Sequence, residues 1–170
     1  QKKMNTELTL IKKKILTVGA GNIGYLTSYQ LMQAGAQVVG ILEAQNHEGG
    51  FPVQANRVRR LGIPVMLNQI LVKAIPNEDY TGVTGAVVAE CHNFKAVPGT
   101  ERLIEGIDAI NICTGLVPDD QLLIKGNEIF GRNCHGVGDA IRIGEGTSAV
   151  LRGKQAAYEV LDVLGVRYNY

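Results

Sequence analysis

The chain has 170 residues, 45% of them hydrophobic, enough for one compact domain with a substantial core and too few for several. Charged residues make up 19% and the net charge is +1, so no strong field draws the protein to nucleic acid or an anionic membrane. No apolar run reaches the roughly 20 residues of a membrane span, and the basic, polar start is no signal-peptide core; the expected location is the cytoplasm. Lys14-Ile-Leu-Thr-Val18 is a β-branched run ending in Gly19 and predicts a buried strand stopped by a tight turn. From Ile23 to Gln33 the apolar residues recur at helical spacing, with Gly35 placed to terminate a helix. Gln37-Val-Val-Gly-Ile-Leu42 predicts the next strand, so the first 30 residues of this region form a βαβ unit, with parallel strands and a right-handed crossover.

A polar loop through Gly50 leads to a predicted helix from Pro52 to Leu61, with Gly62 at its exit, and Ile63 to Leu67 predicts a third strand. Gln69 to Ile75 and Val83 to Ala89 are apolar runs separated by a turn-rich spacer, which predicts an antiparallel excursion. A polar connection through Pro98 and Glu105 precedes a strand at Ile107 to Cys113. Asp119 to Arg132 reads as irregular, and Thr147 or Ser148 is placed to cap a last helix running to about Leu164, packing through Ala149, Leu151, Ala156, Val160 and Leu164. The predicted fold is α/β: a Rossmann-like parallel sheet with helices on both faces, a small antiparallel β-excursion and a C-terminal helix.

Gly19-Ala20-Gly21-Asn22-Ile23-Gly24 matches G-x-G-x-x-G directly after a predicted buried strand and at the start of a helix, the context that gives the pattern meaning. Gly19 permits the sharp turn, Gly21 lets a pyrophosphate approach the backbone, and Gly24 lets the helix pack closely on the strand. Helix N–H groups, those of Asn22 and Ile23, then face the diphosphate, so no cationic side chain is needed. Glu43, about 20 residues beyond the last glycine, is placed to accept hydrogen bonds from a ribose diol. It also repels a 2′-phosphate, and Gln45, Asn46 and His47 after it supply no cation, so the expected ligand is NAD(H) rather than NADP(H).

Other candidates are weaker. His47 reads as a solvated loop residue, and Arg57, Arg59 and Arg60 as a solvated helix end favoured by the dipole. Cys91, Cys113 and Cys134 have no redox-pair or zinc spacing and read as incidental thiols; no metal ligands and no catalytic residues are assigned. The first residue is Gln1 rather than Met, which points to an excerpt of a longer polypeptide or to trimming.

Val18 to Gly24, the antiparallel excursion, Ile112-Cys-Thr-Gly115 with Pro118 after it, and Val137-Gly-Asp-Ala140 together resemble the C-terminal half of FAD-dependent pyridine nucleotide-disulfide oxidoreductases. The nearer resemblance is to flavoprotein subunits of amine- and amino-acid-oxidising dehydrogenases. It implies a linker at 1–13, an NAD-binding Rossmann-like domain at 14–115, and a segment at 116–170 similar to the end of an FAD domain. It further implies that Gly115 lies near bound NAD, that Asp139 faces FAD, and that the intact protein passes a hydride between nicotinamide and flavin. No second G-x-G-x-x-G and no cysteine pair occur, so the flavin half is expected as a missing partner and the isolated chain as inactive. Association with a second copy is left open. Two alternatives stand beside this reading: an NAD-sensing regulatory module without redox chemistry, and an S-adenosylmethionine-dependent methyltransferase, which the third glycine fits less well.

Overall fold

A computed structural model describes residues 10–167 of the chain. Of the expected linker, residues 1–9 lie outside the described residues. The chain divides into two compact units, Gln1–Gly115 and Leu116–Tyr170.

In the first unit β1 (Lys14–Val18) leads through the glycine turn into α1 (Asn22–Gln33) and on to β2 (Gln37–Leu42). Gly35, at φ +90°, adopts the left-handed conformation that releases the chain from α1, as its place in the sequence predicted. Then come α2 (Pro52–Arg60), opened by its proline, and the two-residue β3 (Val65–Met66). The antiparallel excursion consists of β4 (Gln69–Pro76) and β5 (Val83–His92), with β6 (Lys95–Ala96) and β7 (Arg102–Glu105) pairing with the far side of β5. β8 (Ala109–Ile112) closes the unit. β6 and β7 occupy the stretch expected as a polar connection. The ladder between β4 and β5 is interrupted by a bulge between Leu71 and Lys73.

The parallel sheet has the order β3-β2-β1-β8, with Val18 aligned to Leu42 on one side and to Ile112 on the other. Because β1 is central, both of its faces are buried, which is why its sequence is a continuous apolar run rather than an alternating one. On one face Tyr25 of α1 and Ala55 and Val58 of α2 pack with Val38 and Ile41. On the other, Leu16 and Leu42 meet Ala86 and Val88 of β5 and Ile107. Burial of each Leu or Val contributes about 1.5–3 kcal/mol. The second cluster corrects the expectation of helices on both faces: the parallel sheet is flanked by helices on one side, and the antiparallel sheet covers the other.

Asp108 fastens the beginning of β1 to the beginning of β8, accepting from the Lys14 backbone N–H (2.8 Å) and the Lys13 ammonium (2.9 Å). The Lys14 N–H first, and then Lys13, hold its carboxyl below the usual carboxylate range. Its contribution is therefore full above the unfolded pKa of about 4 and is lost as pH falls through the lower folded value. Asp108→Asn should lower stability at pH 7 slightly, the pair being exposed, and flatten the acid limb of a stability-versus-pH profile measured by denaturant unfolding by the same small amount, the two proteins converging below the folded pKa.

The second unit holds α3 (Gln121–Phe130), 3-10 turns at Gly131–Asn133 and Gly138–Ala140, and α4 (Gly146–Val163). Two expectations change here. Asp119 to Arg132 is mostly helix rather than irregular. Glu145, not Thr147 or Ser148, occupies the N-cap of α4, without a side-chain capping bond. Of the face expected for α4 only Ala156 is buried, whereas Leu151 and Leu164 are 61% and 67% exposed. Among the described residues no helix is long and apolar enough to cross a membrane.

Candidate functional site

β1 delivers the chain to the carboxyl edge of the parallel sheet, where the turn Gly19–Gly24 begins α1, and its three glycines serve different ends. Gly19 sits at φ +106°, and a Cβ there would collide with the Cys113 carbonyl. A Cβ on Gly24 would collide with the carbonyl oxygen of Gly19. Both positions are therefore set by the protein's own packing. Gly21 is different: it is the N-cap of α1 at φ −85°, ψ −179°, a conformation open to any residue, and a Cβ there meets nothing within 4 Å. Neither conformation nor internal packing calls for glycine at this position, and the space before it is open. Ala20 is fully buried, whereas Ile23, in the first turn of α1, is half exposed. The N–H groups of this first turn have no acceptor within the helix and form its positive end.

Glu43 follows β2 directly, is 8% exposed, and aims its carboxylate at the turn. Oε2 accepts from the Ala20 N–H (2.8 Å) and Oε1 from the Gln45 N–H (3.0 Å), which leaves each oxygen capacity for one more donor. The segment 44–51 then crosses back over the turn as a strap. Gly49 and Gly50 both donate to the Ala20 carbonyl (3.1 Å each), and the Phe51 N–H donates to Asn22 Oδ1 (2.7 Å). Gly50 lies against the Tyr25 ring, where a Cβ would come within 2.6 Å of Cδ2. Below the strap the Tyr25 hydroxyl donates to Glu48 Oε2 (2.5 Å), and Glu48 Oε1 pairs with Arg59. Burial, and then the bond to Glu48, push the Tyr25 hydroxyl above its ordinary pKa.

A polar chain ties α1 to the sheet. Thr17 and Ser28, both fully buried, share a hydrogen bond of 2.9 Å. Asn111 of β8 donates to Thr27 Oγ1 (2.9 Å), and Thr27 donates to the Ile23 carbonyl (2.9 Å) in the first turn of α1. Sequence reasoning missed this network; its one visible sign was a polar Asn111 within an apolar strand.

Gly115 is exposed at φ +119°, a conformation that requires glycine. Asp139 belongs to the second unit, where its Oδ1 accepts from the Gly144 N–H (3.2 Å) just before α4. His47 is exposed and bonds Asn46 (2.9 Å). Arg57 lies 5.1 Å over the Tyr29 ring, and Arg59 is ion-paired, so neither is the purely solvated charge expected. The three cysteines are free thiols. Among the described residues no group of three or more His, Cys, Asp or Glu is placed to hold a metal ion.

No family model and no curated protein matches the sequence. Solved structures do. A thioredoxin reductase from T. acidophilum superposes with a TM-score of 0.69 at 21% identity, covering 94% of this chain and 56% of that one. The thioredoxin reductase of Lactococcus lactis gives 0.70 at 16% identity over 95% and 56%, and a histamine dehydrogenase from a Rhizobium species 0.63 at 16% over 89% and 23%. The chain thus has the fold that these enzymes share, the one implied by its resemblance to FAD-dependent pyridine nucleotide-disulfide oxidoreductases. The chain spans a little over half the length of the thioredoxin reductases it matches.

Proposed function

We propose that this chain is the NAD(H)-binding module of a flavin-dependent oxidoreductase, with residues 14–115 as the nucleotide domain and 116–170 as the closing part of an FAD domain. The observation that carries the reading is Gly21, a glycine whose only evident use is the open space in front of it. A diphosphate lying there meets backbone rather than side chain, at the positive end of α1. In this reading Gly19, Ala20, Gly21, Asn22, Ile23 and Gly24 form the phosphate turn, and Glu43 reads the adenosine ribose with its remaining lone pairs. Gly115 lies on the nicotinamide side and Asp139 on the flavin side.

A bound nicotinamide supplies or accepts a hydride; the residues of this chain hold it and exclude the wrong phosphate. The partner is the flavin-binding half, and without it the chain binds nucleotide and turns nothing over. The expected setting is cytoplasmic. Titration of the folded chain with NADH, followed by its fluorescence, should saturate in the micromolar range; a linear, non-saturating response refutes the assignment.

A second reading, an NAD-sensing module, draws support from the apolar side chains that the second unit exposes, among them Leu122, Ile129, Phe130 and Leu151. Supplying a flavin-binding half and testing for retained flavin separates the two, because only the oxidoreductase module completes a flavin site.

A further inference from the structure

The strap over the glycine turn holds a charge cluster that the nucleotide reading does not use. Glu48, its side chain 17% exposed, stands between two partners: the Tyr25 hydroxyl at 2.5 Å and the Arg59 guanidinium. Arg59 reaches this strap from the last turn of α2, and its Nη1 also donates to Asn56 (3.2 Å). The strap is continuous with Glu43, the residue assigned to the ribose, and is bonded to the same Ala20 that Glu43 holds. The Tyr25 hydroxyl ties this cluster to the first turns of α1, and Glu48, five residues after Glu43, brings the Arg59 guanidinium to the same strap.

A guanidinium there is what recognition of a 2′-phosphate calls for, since its planar fork matches phosphate oxygens. In this chain the fork is already occupied. We infer that Glu48 is a cofactor-selectivity residue: by pairing Arg59 it withholds the guanidinium from a ligand 2′-phosphate, so the site takes the dinucleotide with a free ribose diol. This rests on the reading of the glycine turn as a nucleotide site. Glu43 excludes the phosphate by direct repulsion, whereas Glu48 does so by neutralising the cation that would offset it. Tyr25 keeps Glu48 in place, because the buried hydroxyl and the carboxylate each need the other as a partner.

The test is the ratio of NADPH to NADH affinity, measured by titration of the folded full chain. Glu48→Gln keeps an acceptor for Tyr25 but removes the charge, and should raise the ratio by about fivefold, the worth of one partly exposed phosphate contact. Glu43 remains, so the preference is reduced rather than reversed. Adding Arg59→Ala to Glu48→Gln should return the ratio to its starting value. Glu48→Asp keeps the charge but not the reach to both partners, and should raise the ratio by less; it serves where Glu48→Gln does not fold. An unchanged ratio in the folded variants, or a gain that survives Arg59→Ala, overturns the inference while leaving NADH binding intact. Absence of NADH binding in the unsubstituted chain overturns the nucleotide reading itself, and this inference with it.

Discussion

Gly21→Ser is expected to abolish measurable NADH binding while leaving the melting temperature within about 3 °C of the unsubstituted chain, a shift worth no more than about 1 kcal/mol at this size. The expectation follows from the two properties of the position. It is the N-cap of α1, where serine is preferred, so the helix loses nothing and gains a capping hydroxyl. No atom of the protein lies within 4 Å of the added Cβ, so packing is undisturbed. What the new side chain does occupy is the space assigned to the diphosphate, and it stands in front of the amides that would hold it. A combined thermal melt and NADH titration checks the result. Undiminished binding in a folded Gly21→Ser protein would mean that the turn is only a turn.

Gly24→Ala is expected to do the opposite and strike the fold first. Its methyl group runs into the Gly19 carbonyl and lies 3.6 Å from Cys113 Cβ. The obstacle is backbone at the strand-to-helix turn, which cannot rotate aside as a side chain could. Overpacking of this kind costs about 3 kcal/mol, and for a chain of this size that lowers the melting temperature by about 10 °C. Binding should fall only as far as the folded fraction falls. The two variants differ by small side chains placed three residues apart, and together they separate the glycine that serves the ligand from the one that serves the fold. A melting curve for Gly24→Ala that overlays the parent curve contradicts the close approach seen here.

The sequence made the first βαβ unit legible because every level of its code agrees. A buried central strand reads as an apolar run, Gly35 marks the end of α1 and Pro52 the start of α2. β6 and β7 were illegible for the opposite reason: Lys95–Ala96 and Arg102–Glu105 are short, largely exposed, and paired only because β5 offers them a ladder. α3 escaped notice because Gly126, a poor helix former, stands in its middle and none of its residues is buried, so its formation is not announced by a core-facing run. The packing face drawn on α4 followed the spacing of its apolar residues, yet burial at Leu151 and Leu164 needs a surface that the unit's own residues do not supply.

The site divides in the same way. The glycine turn and Glu43 are local features and could be placed from spacing. The strap, the Tyr25–Glu48–Arg59 cluster and the Asn111–Thr27 link join residues up to 84 positions apart, and no pattern in the sequence announces them. Glu43 faces the turn and holds it together through the Ala20 amide, a structural role that its spacing from the glycines did not announce.

The borders of the two sheets bear on how this molecule behaves at high concentration. The parallel sheet ends in strands of two and four residues, too short to template a neighbour. The longest border, β4, is kinked by the bulge at Val72, carries Lys73, and stops at Pro76, which has no N–H to offer. Fibril growth by stacking of intact molecules edge to edge is therefore disfavoured at the backbone.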